Sequence, residues 1–145
     1  MSGDAARMEA APRDATGCRL CGAHEPAPLF EKSGWRFVAC RACGLVSLDP
    51  MPTPDALAAH HDASYRDGGY AEFAAADAVR AAIAEDRLAR LRALAPAGRW
   101  LDVGCSTGAF VAAAARAGLD AEGLEVSSVA VEAARARGLV VHHGG

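Results

Sequence analysis

The hydrophobic positions follow three successive patterns, and the pattern changes twice along the chain. Two short apolar runs, Leu29-Phe30-Glu31 and Trp35-Arg36-Phe37-Val38, are separated by Lys32-Ser33-Gly34, which predicts strand, turn, strand. Leu45 to Pro50 is a short apolar exit ending in Met51-Pro52-Thr53-Pro54, where the prolines forbid regular pairing and mark a boundary. A helical period then takes over. Thr53 as N-cap, Pro54 at the first helical position and Asp55 in the first turn predict a helix through about His61. Beyond the Gly68-Gly69 break, Glu72 to Ala95 carries Val79, Ile83, Leu88, Leu91 and Leu94 at mostly helical spacing, and Pro96 and Gly98 end it. From Arg99 onward strand and helix alternate. Arg99–Val103 is a strand, 104–108 a glycine turn, Ala109–Ala117 a helix closed by Gly118, and Leu119–Val126 a second strand. Ser127 and Ser128 begin a helix through Arg137, Gly138 ends it, and Leu139–His142 starts a third strand. This alternation predicts an α/β fold with a parallel sheet.

Four of the five cysteines sit in two copies of one pentapeptide, Cys18-Arg19-Leu20-Cys21-Gly22 and Cys40-Arg41-Ala42-Cys43-Gly44. A C-x-x-C turn aims two thiolates at one ion, and two such turns complete the tetrahedral shell that zinc prefers. With the hairpin between them, residues 18–48 read as a zinc ribbon. A pair of disulfides does not suit a reducing compartment, and a thioredoxin-type redox pair lacks its βαβ surroundings. With sulfur at all four positions, no place remains for a catalytic water, so the zinc is structural. His24 reads as a surface residue rather than a ligand.

Composition narrows the classes further. The chain has 145 residues, room for one modest domain or a small module plus part of a second. Its apolar fraction of 52% supports a core, but 36 residues are alanine, so that core is thin. Net charge is -3, and 14 arginines with Lys32 are scattered along the chain, which excludes the basic stripe of a nucleic-acid binder. No apolar run reaches the roughly 18 residues of a membrane span, and Met1–Gly17 lacks the apolar stretch of a secretory signal. A cytoplasmic protein is expected, with 1–17 a disordered leader, 18–48 the ribbon, 49–98 a helical connector or lid and 99–145 the first part of the α/β domain. Adjacent His60 and His61 point about 100° apart on a helix and read as solvated. Tyr65 and Tyr70 flank the glycine break, as a lid over a neighbouring pocket or, preferably, as anchors of the loop.

The chemistry concentrates at 101–108. Strand, glycine turn and helix N-terminus together let a backbone approach a ligand closely and offer N–H groups to its polar end. The spacing is D-x-G-x-x-x-G, from Asp102 through Gly104 to Gly108, not the G-x-G-x-x-G of a dinucleotide site, and no G-K-[ST] follows for phosphoryl transfer. Glu125 lies 17 residues after Gly108, near the end of the second parallel strand, where a carboxylate holds ribose hydroxyls.

Leu101-Asp102-Val103-Gly104-Cys105-Ser106-Thr107-Gly108 resembles motif I of the class I S-adenosylmethionine-dependent methyltransferases, and Gly123-Leu124-Glu125-Val126-Ser127 resembles the acidic motif that follows it. That family usually has a glycine where this chain has Ser106. A zinc ribbon ahead of such a core also resembles bacterial methyltransferases acting on small molecules. The resemblance implies the N-terminal part of a Rossmann-like sheet preceded by a ribbon and a helical connector. It further implies S-adenosylmethionine as methyl donor and a small-molecule acceptor. Asp102, Gly104 and Gly108 would shape the pocket beside the methionine portion, Cys105 and Ser106 would contribute backbone, and Glu125 would bind the ribose. Cys18, Cys21, Cys40 and Cys43 would hold zinc. The family's later strands carry the acceptor pocket and any catalytic base, so the chain is expected to be a fragment. The alternative is a non-catalytic module whose ribbon docks a partner.

Overall fold

Pro26 and Pro28 remove backbone donors that a central strand needs, and they lie on an edge. The computed structural model places them in β1 (Pro26–Lys32), which pairs antiparallel with β2 (Trp35–Cys40). On the other side of β2 runs β3 (Val46–Leu48), giving the order β1-β2-β3. The described residues are 17–24, 26–67, 72, 76–95 and 97–145. The expected leader, Gly17 apart, lies outside them, as do Gly68, Gly69, Tyr70 and Pro96.

The chain divides into two units, Met1–Leu57 and Ala58–Gly145. In the first, β3 is a strand where the sequence pattern indicates only an exit. Its cause is local: the Cys40 N–H donates to the Leu45 carbonyl at 2.9 Å, folding the chain back along β2. An ion pair between Arg36 and Asp49 ties down the end of that return. Phe30 and Phe37 stack across the β1–β2 pair at 4.6 Å.

Helix α1 (Pro54–Asp67) begins with Thr53 Oγ1 accepting the Ala56 N–H, the expected N-cap. It does not stop near His61 but continues to Asp67. Nothing in 62–67 breaks it, and the Asp62–Arg66 pair at 3.6 Å supports the last turn. The two histidines therefore lie mid-helix, not at its end.

Helix α2 (Asp77–Leu94) packs on α3 (Ala109–Arg116). Of the five large apolar residues at helical spacing, Leu88 is buried, whereas Val79, Ile83, Leu91 and Leu94 are exposed. The contact face is instead Arg80-Ala84-Leu88, because α3 presents Ala113 and Ala114 and small residues let the two helices meet closely.

Strands β4 (Arg99–Val103), β5 (Asp120–Glu125) and β6 (Val141–His143) form a parallel sheet in that order, linked by α3 and by α4 (Ser128–Ala136). The core beneath the helices joins Cys105, Val111, Val131, Ala134 and Val141. Leu101 and Val103 project from β4 and stay 60% and 71% exposed.

Gly123 makes this packing close. A Cβ at that position would lie 2.4 Å from Cys105 Sγ, 3.0 Å from its Cβ and 3.2 Å from Val141 Cγ2. Gly123→Ala should lower stability by about 2 kcal/mol through overpacking, with partial recovery in the Gly123→Ala/Cys105→Ala double variant. Urea denaturation reads both, and equal stability of Gly123→Ala and the parent would refute the contact.

Candidate functional site

The repeated pentapeptides fold alike. In each, the glycine N–H returns to the first cysteine's carbonyl, Gly22 to Cys18 at 2.7 Å and Gly44 to Cys40 at 2.8 Å. The positive φ angles of Gly22 and Gly44, 75° and 77°, let the chain turn away after each pair. All four sulfurs lie within 4.8 Å of one another, and the Cys18–Cys43 and Cys21–Cys40 pairs are 3.6 Å apart. A tetrahedron of thiolates at the usual zinc–sulfur distance has edges of about 3.8 Å. Backbone N–H groups of Cys21 and Leu20 pull the Cys18 thiol down to about 6, whereas the Cys43 thiol, despite the Leu45 N–H, is pushed up to about 12 by the neighbouring cysteine sulfurs and by burial, as crowded thiols without a cation between them share their protons. The cluster thus has the geometry and donors to hold zinc, and His24 is not part of it.

In the second unit, the loop after β4 is built by backbone geometry. Gly104 has φ 76° with open space where a Cβ would stand, and Gly108, at φ 80°, is the N-cap of α3. Ser106 also takes a left-handed backbone, φ 54°, which costs a non-glycine residue about 1 kcal/mol. Its side chain is held in compensation: the Tyr65 hydroxyl donates to Ser106 Oγ at 2.7 Å, and Arg80 donates to it at 3.4 Å. Arg80 is buried and also pairs with Asp77 at 3.7 Å.

Cys105 is buried against Gly123, and burial pushes its thiol up to about 11, an environment that disfavours the thiolate. Asp102, half-buried on β4 opposite Gly123, has its carboxyl raised by burial, against a pull from Arg87. Glu125, 6% exposed at the end of β5, accepts the Ser106 N–H on one oxygen at 2.8 Å and the Ser127 N–H on the other at 2.9 Å. The structure therefore brings Ser106 and Glu125 together directly, with Gly104 and Cys105 alongside through N–H bonds to the Leu124 carbonyl.

Sequence reasoning misses Asp62. From α1 its carboxylate accepts Ser127 Oγ at 2.5 Å, Ser128 Oγ at 2.8 Å and the Val129 N–H at 3.4 Å, capping α4 from outside. Burial alone would raise its carboxyl, but these hydrogen bonds and the Arg66 charge outweigh it and hold it below the usual aspartate range. A lowered folded-state value means the contribution is complete above the ordinary value near 3.9 and is lost as pH falls below it. Melting temperatures of the parent and Asp62→Asn should therefore differ at pH 7 and converge below about pH 4. A gap that persists in acid would contradict this.

Residues 84–145, under half of the chain, match the profile of the family described as methionine biosynthesis protein MetW. No curated protein matches the chain. Among solved structures, DesVI of Streptomyces venezuelae is similar at 33% identity, over 46% of this chain and 29% of that one, with a TM-score of 0.41. CalS10, a SAM-bound amino pentose methyltransferase from Micromonospora echinaspora involved in calicheamicin biosynthesis, is similar at 38% identity, over 46% and 29%, with a TM-score of 0.39. The chain thus spans under a third of the length of these two proteins. Among the described residues, no helix is long and apolar enough to cross a membrane.

Proposed function

We propose that the second unit binds S-adenosylmethionine and belongs to a methyltransferase acting on a small-molecule acceptor in the cytoplasm. The observation that carries this reading is the pairing of Glu125 with the glycine loop: a buried carboxylate at the end of the second strand, one hydrogen bond from the turn that opens α3. The match of 84–145 to the MetW profile supports it. So does the open space at Gly104, which lets a ligand approach the backbone.

In this reading Asp102, Gly104 and Gly108 shape the methionine side, Cys105 and Ser106 contribute backbone, and Glu125 holds the ribose hydroxyls. When bound, the cofactor supplies a methyl group made electrophilic by its sulfonium. The chain's own part is to bind, orient and exclude water. Cys18, Cys21, Cys40 and Cys43 hold a structural zinc, and the reduced thiols such a site needs suit the cytoplasm.

With the later, acceptor-binding strands that the resemblance implies supplied alongside this chain, incubation with S-adenosylmethionine labelled on the methyl group and a panel of hydroxyl- and amine-bearing metabolites should move label onto an acceptor. Cofactor binding without transfer would favour the non-catalytic module, and no binding would reject both.

A further inference from the structure

Both oxygens of Glu125 are engaged by backbone N–H groups, and both donors belong to serines whose side chains are gripped by α1. Ser127, fully buried, gives its N–H to Glu125 and its hydroxyl to Asp62. Ser106 gives its N–H to Glu125 and receives the Tyr65 hydroxyl. Asp62 and Tyr65 stand three residues apart, on one face of the helix. The five residues therefore close a ring, Asp62–Ser127–Glu125–Ser106–Tyr65, that fixes the carboxylate through two loops and one helix.

A carboxylate has about four acceptor positions, two on each oxygen. The two N–H bonds use one on each, which leaves a matched pair, the complement of two neighbouring hydroxyls. An N–H that drifts would let the carboxylate rotate and lose that match.

We infer that Asp62 and Tyr65 are positioning residues: through Ser127 and Ser106 they set the Glu125 carboxylate for the vicinal hydroxyls of a nucleoside. This rests on the proposed cofactor reading, and extends it to two residues on α1, outside both sequence motifs. Ser106 is the clearest sign of the arrangement. Its left-handed backbone aims the N–H at Glu125 while its hydroxyl meets Tyr65, so the strain and the two bonds belong to one geometry.

The test compares S-adenosylhomocysteine with its 2′,3′-dideoxy analogue, by titration calorimetry on the full chain, in the parent, Asp62→Asn and Tyr65→Phe. Each substitution should weaken S-adenosylhomocysteine about tenfold and the dideoxy analogue less than about twofold. Amide exchange at Ser106 in Tyr65→Phe, and at Ser127 in Asp62→Asn, should accelerate without any ligand. Equal losses for the two ligands, unchanged affinity, or unchanged exchange would overturn the positioning role while leaving the cofactor reading intact. Failure of the parent to bind S-adenosylhomocysteine would overturn both.

Discussion

Stripping zinc with a strong chelator should unfold the first unit, and Cys40→Ser should do the same without a chelator. The apolar side chains buried among residues 26–48 are Val38 and Cys40, whereas Leu29, Phe30 and Val46 are half exposed. Two such side chains contribute a few kcal/mol, too small a core to hold a ribbon of this length without a metal. Four thiolates on one ion supply about 10–16 kcal/mol, enough to decide whether the ribbon folds. Trp35 lies in β2 and Trp100 in β4, so the two units carry separate fluorophores. In a Trp100→Phe background, chelation should shift Trp35 emission to the red, with one zinc released per chain. Unchanged Trp35 emission from metal-free protein would mean that packing, not metal, holds the ribbon.

Replacing Glu125 should have the second large effect, on stability and on ligand together. Glu125→Ala leaves the part-buried Ser106 N–H and the buried Ser127 N–H without their acceptor, at about 1–3 kcal/mol for the buried donor and less for the other. Glu125→Gln is the sharper probe, since its amide keeps the shape but sets a donor against a donor at one of the two N–H groups. Chemical denaturation of Glu125→Gln should show a loss of about 2 kcal/mol, and affinity for S-adenosylhomocysteine should fall by roughly a hundredfold. Loss of stability with unchanged affinity would confine Glu125 to a structural role.

What could be read from the sequence was local. The C-x-x-C pairs lie at fixed spacing in two short repeats, and their sulfurs meet. The alternation after Arg99 likewise yields β4, α3, β5, α4 and β6 within a residue or two of the expected bounds, since caps and glycines punctuate it. Ser127 as a helix start is confirmed by its acceptance of the Ala130 N–H.

The rest depended on partners distant in sequence. Val46–Leu48 is too short to show a period of its own and becomes a strand because β2 is beside it. In α2 the large apolar residues lie at mostly helical spacing, yet of them only Leu88 is buried, beside Ala84 and against the alanine surface of α3. Asp62 meets Ser127 across 65 positions and Tyr65 meets Ser106 across 41, so neither contact leaves a local pattern. Ser106 was legible as a departure from the usual glycine, but its anchoring by Tyr65 and Arg80 was not.

The most direct test of the central claim is a residue-resolved NMR titration of the zinc-loaded protein with S-adenosylhomocysteine. Saturable one-to-one shifts confined to the amides of 104–108 and of Glu125 to Ser128 are the predicted result. Resonances there that stay fixed at millimolar ligand, or shifts that cluster elsewhere, would contradict a cofactor site built from the glycine loop and Glu125.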